Sequence, residues 1–188
     1  GSLNFVPPLI RLNPKYRYEH VGERAKGKTC GFNLNTDGSV RVEASFMAKY
    51  MKKVRMNYTF YPDGTVKIEH GGTPMLIDML RFGTSFALAG KYKNILWYGR
   101  GPQENYCDRK TGAKIALHKM TVRELQHLYM RPQENGCRTD VRYIELTDDS
   151  GNGIKIESTD MPLSFNAWNY TQEMLEKAEH IHELKYDD

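Results

Sequence analysis

Between Val54 and His70 the chain reads VRMNYTFYPDGTVKIEH. Val54, Met56, Tyr58 and Phe60 alternate with Arg55, Asn57, Thr59 and Tyr61, a period of two that suits a strand with one apolar face. Pro62-Asp63-Gly64 supplies a turn, and Thr65–His70 returns, which predicts a β-hairpin. The same signature recurs. An Asp37-Gly38 turn precedes Val40 and Val42, which alternate with Arg41 and Glu43. Further strands are expected at Gly83–Leu88, Ile95–Tyr98, Ala113–His118, Thr139–Thr147, Ile154–Ser158 and Leu163–Trp168. Asp148–Gly153 reads as a polar turn between two of them. Leu3–Thr29, with several prolines and little periodicity, reads as an irregular lead-in. Eight or nine antiparallel strands imply an all-β sandwich or barrel.

Two short helices interrupt the strands. Thr121-Val-Arg-Glu124 fits a capping box, with Met120 and Leu125 as its hydrophobic staple. Thr171 is placed to cap a second helix over Gln172–Glu179, with Tyr170 and Leu175 as staple and Glu173 in the first turn. The interior has no linker or low-complexity run, so residues 3–188 read as one domain. Gly1-Ser2 reads as an expression scar. The chain is then an excised segment, and its compartment, cytoplasmic or periplasmic, stays open.

Composition narrows the function classes. At 188 residues and 39% hydrophobic content the chain can bury a core and is not of disordered composition. No apolar run approaches the roughly 20 residues that cross a bilayer, so no membrane partner is expected. The formal charge is +4, and the first 55 residues hold eleven basic against four acidic positions. Those basic residues alternate with apolar ones, as on the wet face of a sheet, which argues against nucleic-acid binding. The cysteines, Cys30, Cys107 and Cys137, form no C-x-x-C pair. A Cys107–Cys137 disulfide competes with buried free thiols.

Pro-Gln-Glu-Asn occurs twice, as Pro102–Asn105 and Pro132–Asn135, each followed by Cys at +2. The flanks do not align, so a duplicated supersecondary unit is not expected. Arg109 follows the first copy and Arg138 the second. Amides, carboxylates and guanidinium groups of this kind bind sugar hydroxyls. Equally, Glu104 or Glu134 can be paired internally with Arg109, Arg138 or Arg131, since a buried carboxylate is rarely left unpaired. His180 and His182 would share a face on a strand and are weak metal candidates without a third ligand; the helix C-terminus favours histidine anyway. Asp37, Asp63, Asp148 and Asp149 lie in turns and read as structural. Glycoside hydrolysis needs two carboxyl groups about 5–10 Å apart, and spacing does not establish that for Glu104 and Glu134. No nucleophile elbow, P-loop or dinucleotide fingerprint is present.

Trp97, Gly99, Gly101, Pro102, Glu104, Asn105, Tyr106, Asp108 and Arg109 match W-x-G-x-G-P-x-E-N-Y-x-D-R. Arg131–Gly136 with Arg138 matches R-P-Q-E-N-G-x-R. Phe165, Tyr170, Leu175, His180, His182 and Leu184 match a spaced tail, and DMLRFG at 78–83 resembles a further motif. Together these resemble the C-terminal small-chain domain of the lac-type β-galactosidases of glycoside hydrolase family 2. The resemblance implies an antiparallel β-supersandwich like that of galactose mutarotase, with the two Pro-Gln-Glu-Asn copies on separate loops. It implies a larger parent that hydrolyses terminal non-reducing β-D-galactosides with retention. The parent's catalytic glutamates would lie on a barrel domain outside this segment, as would its Mg and Na sites. This segment would then hold no catalytic residue and no cofactor. Its partner would be the catalytic barrel of the same parent chain, with carbohydrate as a further ligand and a homo-oligomer allowed. Arg100, Glu104, Asn105, Asp108, Arg109, Glu134, Asn135 and Arg138 are the candidate carbohydrate or interdomain contacts. The rival function is a carbohydrate-binding module using the concave sheet face. An independent epimerase would need His118 or His127 set against a glutamate, for which no motif is present.

Overall fold

The structure, a computed structural model, describes residues 5–11, 19–20, 26–48, 51–75 and 81–184. Gly1-Ser2 and the Asp78–Leu80 part of the DMLRFG stretch lie outside these residues. The chain is all-β: its described sheets are antiparallel, with two short helices. It divides into two compact units, 1–87 and 88–188.

In the first unit, β1 (Phe5–Arg11) lies between β2 (Glu19–His20) and β7 (Arg81–Phe86). The lead-in expected to be irregular therefore holds two strands and the start of a third. Pro7-Pro8 hides β1 in the sequence. The pairing with β7 shifts between Val6 and Leu9, and at such an irregularity a missing N–H costs no ladder bond.

The second sheet of this unit is a meander of β3 (Lys26–Leu34), β4 (Val40–Ala48), β5 (Met51–Phe60) and β6 (Val66–Pro74). Its turns are tied by the expected aspartates. Asp37 Oδ1 accepts from Ser39 N at 2.9 Å, and Asp63 Oδ1 accepts from Thr65 N at 2.8 Å. Register sorts the faces completely. Leu34, Val40, Phe60 and Val66 stand in one row, and Phe32, Val42, Tyr58 and Ile68 in another on the same face. The rows between them point the other way and carry Arg41–Thr59–Lys67 and Glu43–Asn57–Glu69. On that face Arg41 pairs with Glu43 (2.9 Å) and Glu69 (3.2 Å), and Lys67 with Glu69 (3.0 Å).

Burial departs from simple alternation at the far end of β5. Thr59, on the charged face, is buried, whereas Phe60 is 40% exposed. Thr59 stands between Arg41 and Lys67 in the register.

The second unit has a four-stranded sheet in the order β12-β11-β8-β9, formed by β8 (Asn94–Gly101), β9 (Lys114–Thr121), β11 (Tyr143–Thr147) and β12 (Gly153–Glu157). A second layer is the pair β10 (Arg138–Val141) and β13 (Leu163–Phe165). Between the layers Ile95, Trp97, Val122, Leu125, Val141 and Ile144 form a buried cluster, with Leu163 and Phe165 against it. Gly99 makes that spacing attainable, because a Cβ there would lie 2.7 Å from Val141 Cα.

The single strand expected over Thr139–Thr147 is two. Asp140 adopts φ +53, the pairing of β10 with β13 shifts there, and the chain passes from one layer to the other at Arg142. The strand expected to reach Trp168 stops at Phe165, because Asn166 and Trp168 turn their side chains to another loop.

Both helices start where the caps place them. Thr121 opens α1 (Val122–Leu125) with a complete capping box. Thr171 Oγ1 accepts from Met174 N ahead of α2 (Gln172–Lys177), which ends two residues before the expected Glu179.

Candidate functional site

The two Pro-Gln-Glu-Asn loops belong to the second unit. The first follows β8; the second leads into β10. Each asparagine folds back on its own loop in the same way: Asn105 Nδ2 donates to Gln103 O and Asn135 Nδ2 to Gln133 O, both at 3.0 Å. Each Oδ1 then accepts a backbone N–H from elsewhere, Thr139 N for Asn105 and His127 N for Asn135, again both at 3.0 Å. The shared tetrapeptide is thus a shared local device. An asparagine side chain stands in for a strand partner where the backbone has none.

The loops also hold each other. Asn105 N donates to Cys137 O at 2.9 Å, and Gly136 N donates to Glu104 Oε2 at 2.6 Å. Thr139 Oγ1 donates to Asn105 Oδ1 at 2.6 Å. Gly136 has φ +73, and a Cβ on it would lie 2.8 Å from Leu125 O, so this turn requires glycine. Asn135 O accepts from both Asn166 Nδ2 and Trp168 Nε1, and Asn135 Nδ2 also reaches Tyr170 Oη at 3.1 Å. The tail residue Tyr170 is in this way tied to the second loop.

Glu104 is the electrostatic centre. Its Oε1 accepts from Arg109 Nη2 at 2.6 Å and from the Tyr129 hydroxyl. Burial pushes its carboxyl up, but the Tyr129, Gly136 and Arg109 donors outweigh that and hold it below the usual carboxylate range. Burial, reinforced by Glu104 and Glu134, pushes the Tyr106 hydroxyl far up. The Arg109 guanidinium also lies 4.8 Å over the Tyr106 ring.

Arg100 donates from Nε to Asp140 Oδ2 at 2.5 Å and from Nη1 to the Ala113 carbonyl at 2.8 Å. Lys110 Nζ meets the same carboxylate at 3.0 Å. Asp140, which adopts φ +53, thus has its carboxylate between two cations.

The eight candidate residues therefore fall into three sets. Asn105, Asn135 and Arg138 are buried, with polar groups turned inward. Asp108 and Arg109 are exposed, and Arg100, Glu104 and Glu134 are half-buried. Arg138 hydrogen-bonds carbonyls rather than a carboxylate: Nη1 donates to Gly136 O at 2.9 Å, and the guanidinium lies 5.5 Å from the Trp97 ring. Of the internal pairings open to Glu104, the one formed is with Arg109. Asp140 and Tyr129 do not stand out in the sequence, whereas Tyr106 belongs to the first motif. Asp140 acts through a backbone angle and Tyr129 from a separate segment, and neither carries a spacing signal.

The remaining candidates lie elsewhere. His180 and His182 stack at 5.4 Å in the turn after α2, and His180 Nδ1 lies 3.2 Å from Glu183 Oε1. Among the described residues no group of three or more His, Cys, Asp and Glu is arranged to hold a metal. The three cysteines are free, Cys137 buried but Cys107 exposed, so the disulfide is not formed. His118 stacks on Trp97 at 5.0 Å, and His127 lies edge-on to Tyr129. Among the described residues no helix is long and apolar enough to cross a membrane.

The profile of the β-galactosidase small chain matches residues 12–188. A β-galactosidase from Priestia megaterium is 42% identical over 135 residues, covering 71% of this chain and 13% of that protein. One from Halalkalibacterium halodurans is 36% identical over 70% of this chain and 14% of its own length. One from Streptococcus thermophilus is 28% identical over 92% of this chain and 18% of its own length. The chain thus spans less than a fifth of these relatives, and the match runs through both units. It belongs to the β-galactosidase small-chain family.

Proposed function

We propose that this chain is a non-catalytic bracing segment of a larger β-galactosidase, one that hydrolyses terminal β-D-galactosides. The carrying observation is the state of Glu104. Both its oxygens accept hydrogen bonds from Arg109, Tyr129 and Gly136 N. A general acid of a glycosidase needs a raised pKa, and its partner needs a carboxylate free to attack or to activate water. Glu104 is held ionised and engaged, which suits a brace. Its partner in the parent is the catalytic barrel, whose glutamates do the bond cleavage. Asp108 and Arg109, exposed at the rim of the loops, are the groups proposed to meet that barrel or a bound sugar.

The test is turnover of a chromogenic β-galactoside by the 188-residue chain. No activity above background is expected. Turnover that disappears in Glu104→Gln or Glu134→Gln overturns the reading. Calorimetric titration with galactose or lactose addresses the sugar-binding rival: millimolar binding lost in Arg100→Ala would replace the brace by a binding module.

A further inference from the structure

Asn-Gly pairs stand at Asn135-Gly136 and Asn152-Gly153, and the second unit holds them in opposite states. In such a pair the backbone nitrogen after the asparagine can attack the side-chain amide, and glycine hinders that attack least because it carries no Cβ. At Asn135 both reacting groups are engaged. Asn135 is 3% exposed; its side chain donates to Gln133 O and Tyr170 Oη and accepts from His127 N. Gly136 N donates to Glu104 Oε2 at 2.6 Å. Asn152 follows the Asp149–Gly151 turn between β11 and β12, where Gly151 takes φ +83. It is exposed, and among the described residues its side-chain amide makes no hydrogen bond. Asp148 N donates to Asn152 O at 2.8 Å, so 148 and 152 are a hydrogen-bonded pair and Thr147 and Gly153 the next, non-hydrogen-bonded one. Gly153 N–H therefore points away from β11, and β12 is the edge strand of its sheet. The fold nonetheless requires glycine at 153, because a Cβ there would lie 1.9 Å from Leu146 O. The residue that lets the hairpin close thus also leaves a reactive nitrogen uncommitted.

We propose that Asn152 is a site of spontaneous deamidation, and that the interlocked loops protect Asn135 from the same reaction. Gly153 N loses its proton to solvent base and attacks Asn152 Cγ. A C–N bond forms, the Cγ–Nδ2 bond breaks, and ammonia leaves with a proton from solvent. Water then opens the resulting five-membered imide at either of its two carbonyls, giving aspartate or isoaspartate. Either product adds a negative charge to a turn that already holds Asp148 and Asp149. Isoaspartate also routes the main chain through the former side chain, one carbon longer, which displaces the carbonyl that Asp148 N bonds and loosens β12 at the sheet edge. Every contact in this comparison lies within residues 88–188.

The experiment is incubation of the 188-residue chain in mildly alkaline buffer, followed by proteolysis and mass spectrometry of the two Asn-Gly peptides over time. In the folded chain the Asn152 peptide is expected to deamidate at least about ten-fold faster than the Asn135 peptide, whose reaction must await local opening. In guanidinium the two rates are expected to converge, since both are then unhindered Asn-Gly pairs. An Asn135 rate equal to or above that of Asn152 in the folded chain overturns the inference. So does a rate ratio that guanidinium leaves unchanged, because sequence neighbours rather than the fold would then set it. Asn152→Ser gives an independent readout. It is expected to abolish the acidic species that accumulates on isoelectric focusing and the isoaspartate detected by isoaspartyl methyltransferase labelling. Persistence of both signals in that variant also refutes the assignment.

Discussion

Asn105→Ala is the sharpest test of the interlocked loops. Asn105 is 1% exposed and takes part in three side-chain hydrogen bonds. The substitution removes all three and strands the Thr139 amide, itself in a buried residue. An unsatisfied buried donor costs about 1–3 kcal/mol and each lost bond about 1 kcal/mol. The Thr139 hydroxyl can rotate away, so the sum comes to about 3–4 kcal/mol. With a urea slope near the low end of the usual range, about 1.3 kcal/mol/M, the midpoint falls by about 2–3 M. Both tryptophans, Trp97 and Trp168, lie in the second unit, so intrinsic fluorescence follows that unit alone. Thr139→Val is the control. It removes one donor, leaves the amide bond to Asn105 intact, and is expected to cost about 1 kcal/mol. An Asn105→Ala midpoint no lower than that of Thr139→Val refutes the brace.

Two further outcomes follow from the same geometry. Gly99→Ala places a Cβ 2.6 Å from Val141 Cγ2 and 2.7 Å from its Cα, so the layers must part; a loss of about 2–3 kcal/mol is expected in the same urea assay. Glu104 has a folded pKa held below its unfolded value. Its contribution is therefore present at neutral pH and lost as pH falls below about 4 through the folded value. Acid titration of Trp fluorescence is expected to show a shallower decline between pH 5 and 3 in Glu104→Gln, which is already less stable at pH 7.

The hairpin, both helix caps and the turn aspartates were legible because each depends on neighbours a few residues apart. Asp37, Asp63 and Thr121 bond groups within three positions of themselves. The sandwich class followed from counting such elements. What stayed hidden depends on distant partners or on single backbone angles. Asp140 breaks one expected strand into two through its φ, and its partner cations come from Arg100 on β8 and Lys110 on the loop that follows it. β1 escaped notice because Pro7-Pro8 contradicts a strand everywhere except at a register shift. At the loops, the sequence supplied the right residues but left sugar contact and internal pairing open. Only the fold brings Gly136 N and Tyr129 to Glu104.

The two-faced β3–β6 sheet constrains how this chain can change length. If β6 slid by one position along β5, Lys67 and Glu69 would enter the rows of Phe32 and Leu34, and Ile68 would land among the ion pairs. Insertions and deletions in the strands are therefore expected in twos, preserving parity. The place able to absorb a single residue already exists: pairing shifts between Lys52 and Arg55, where Lys53 takes φ +51. Homologues differing by one residue in this region should carry the difference at that kink, leaving parity intact from Val54 to Phe60.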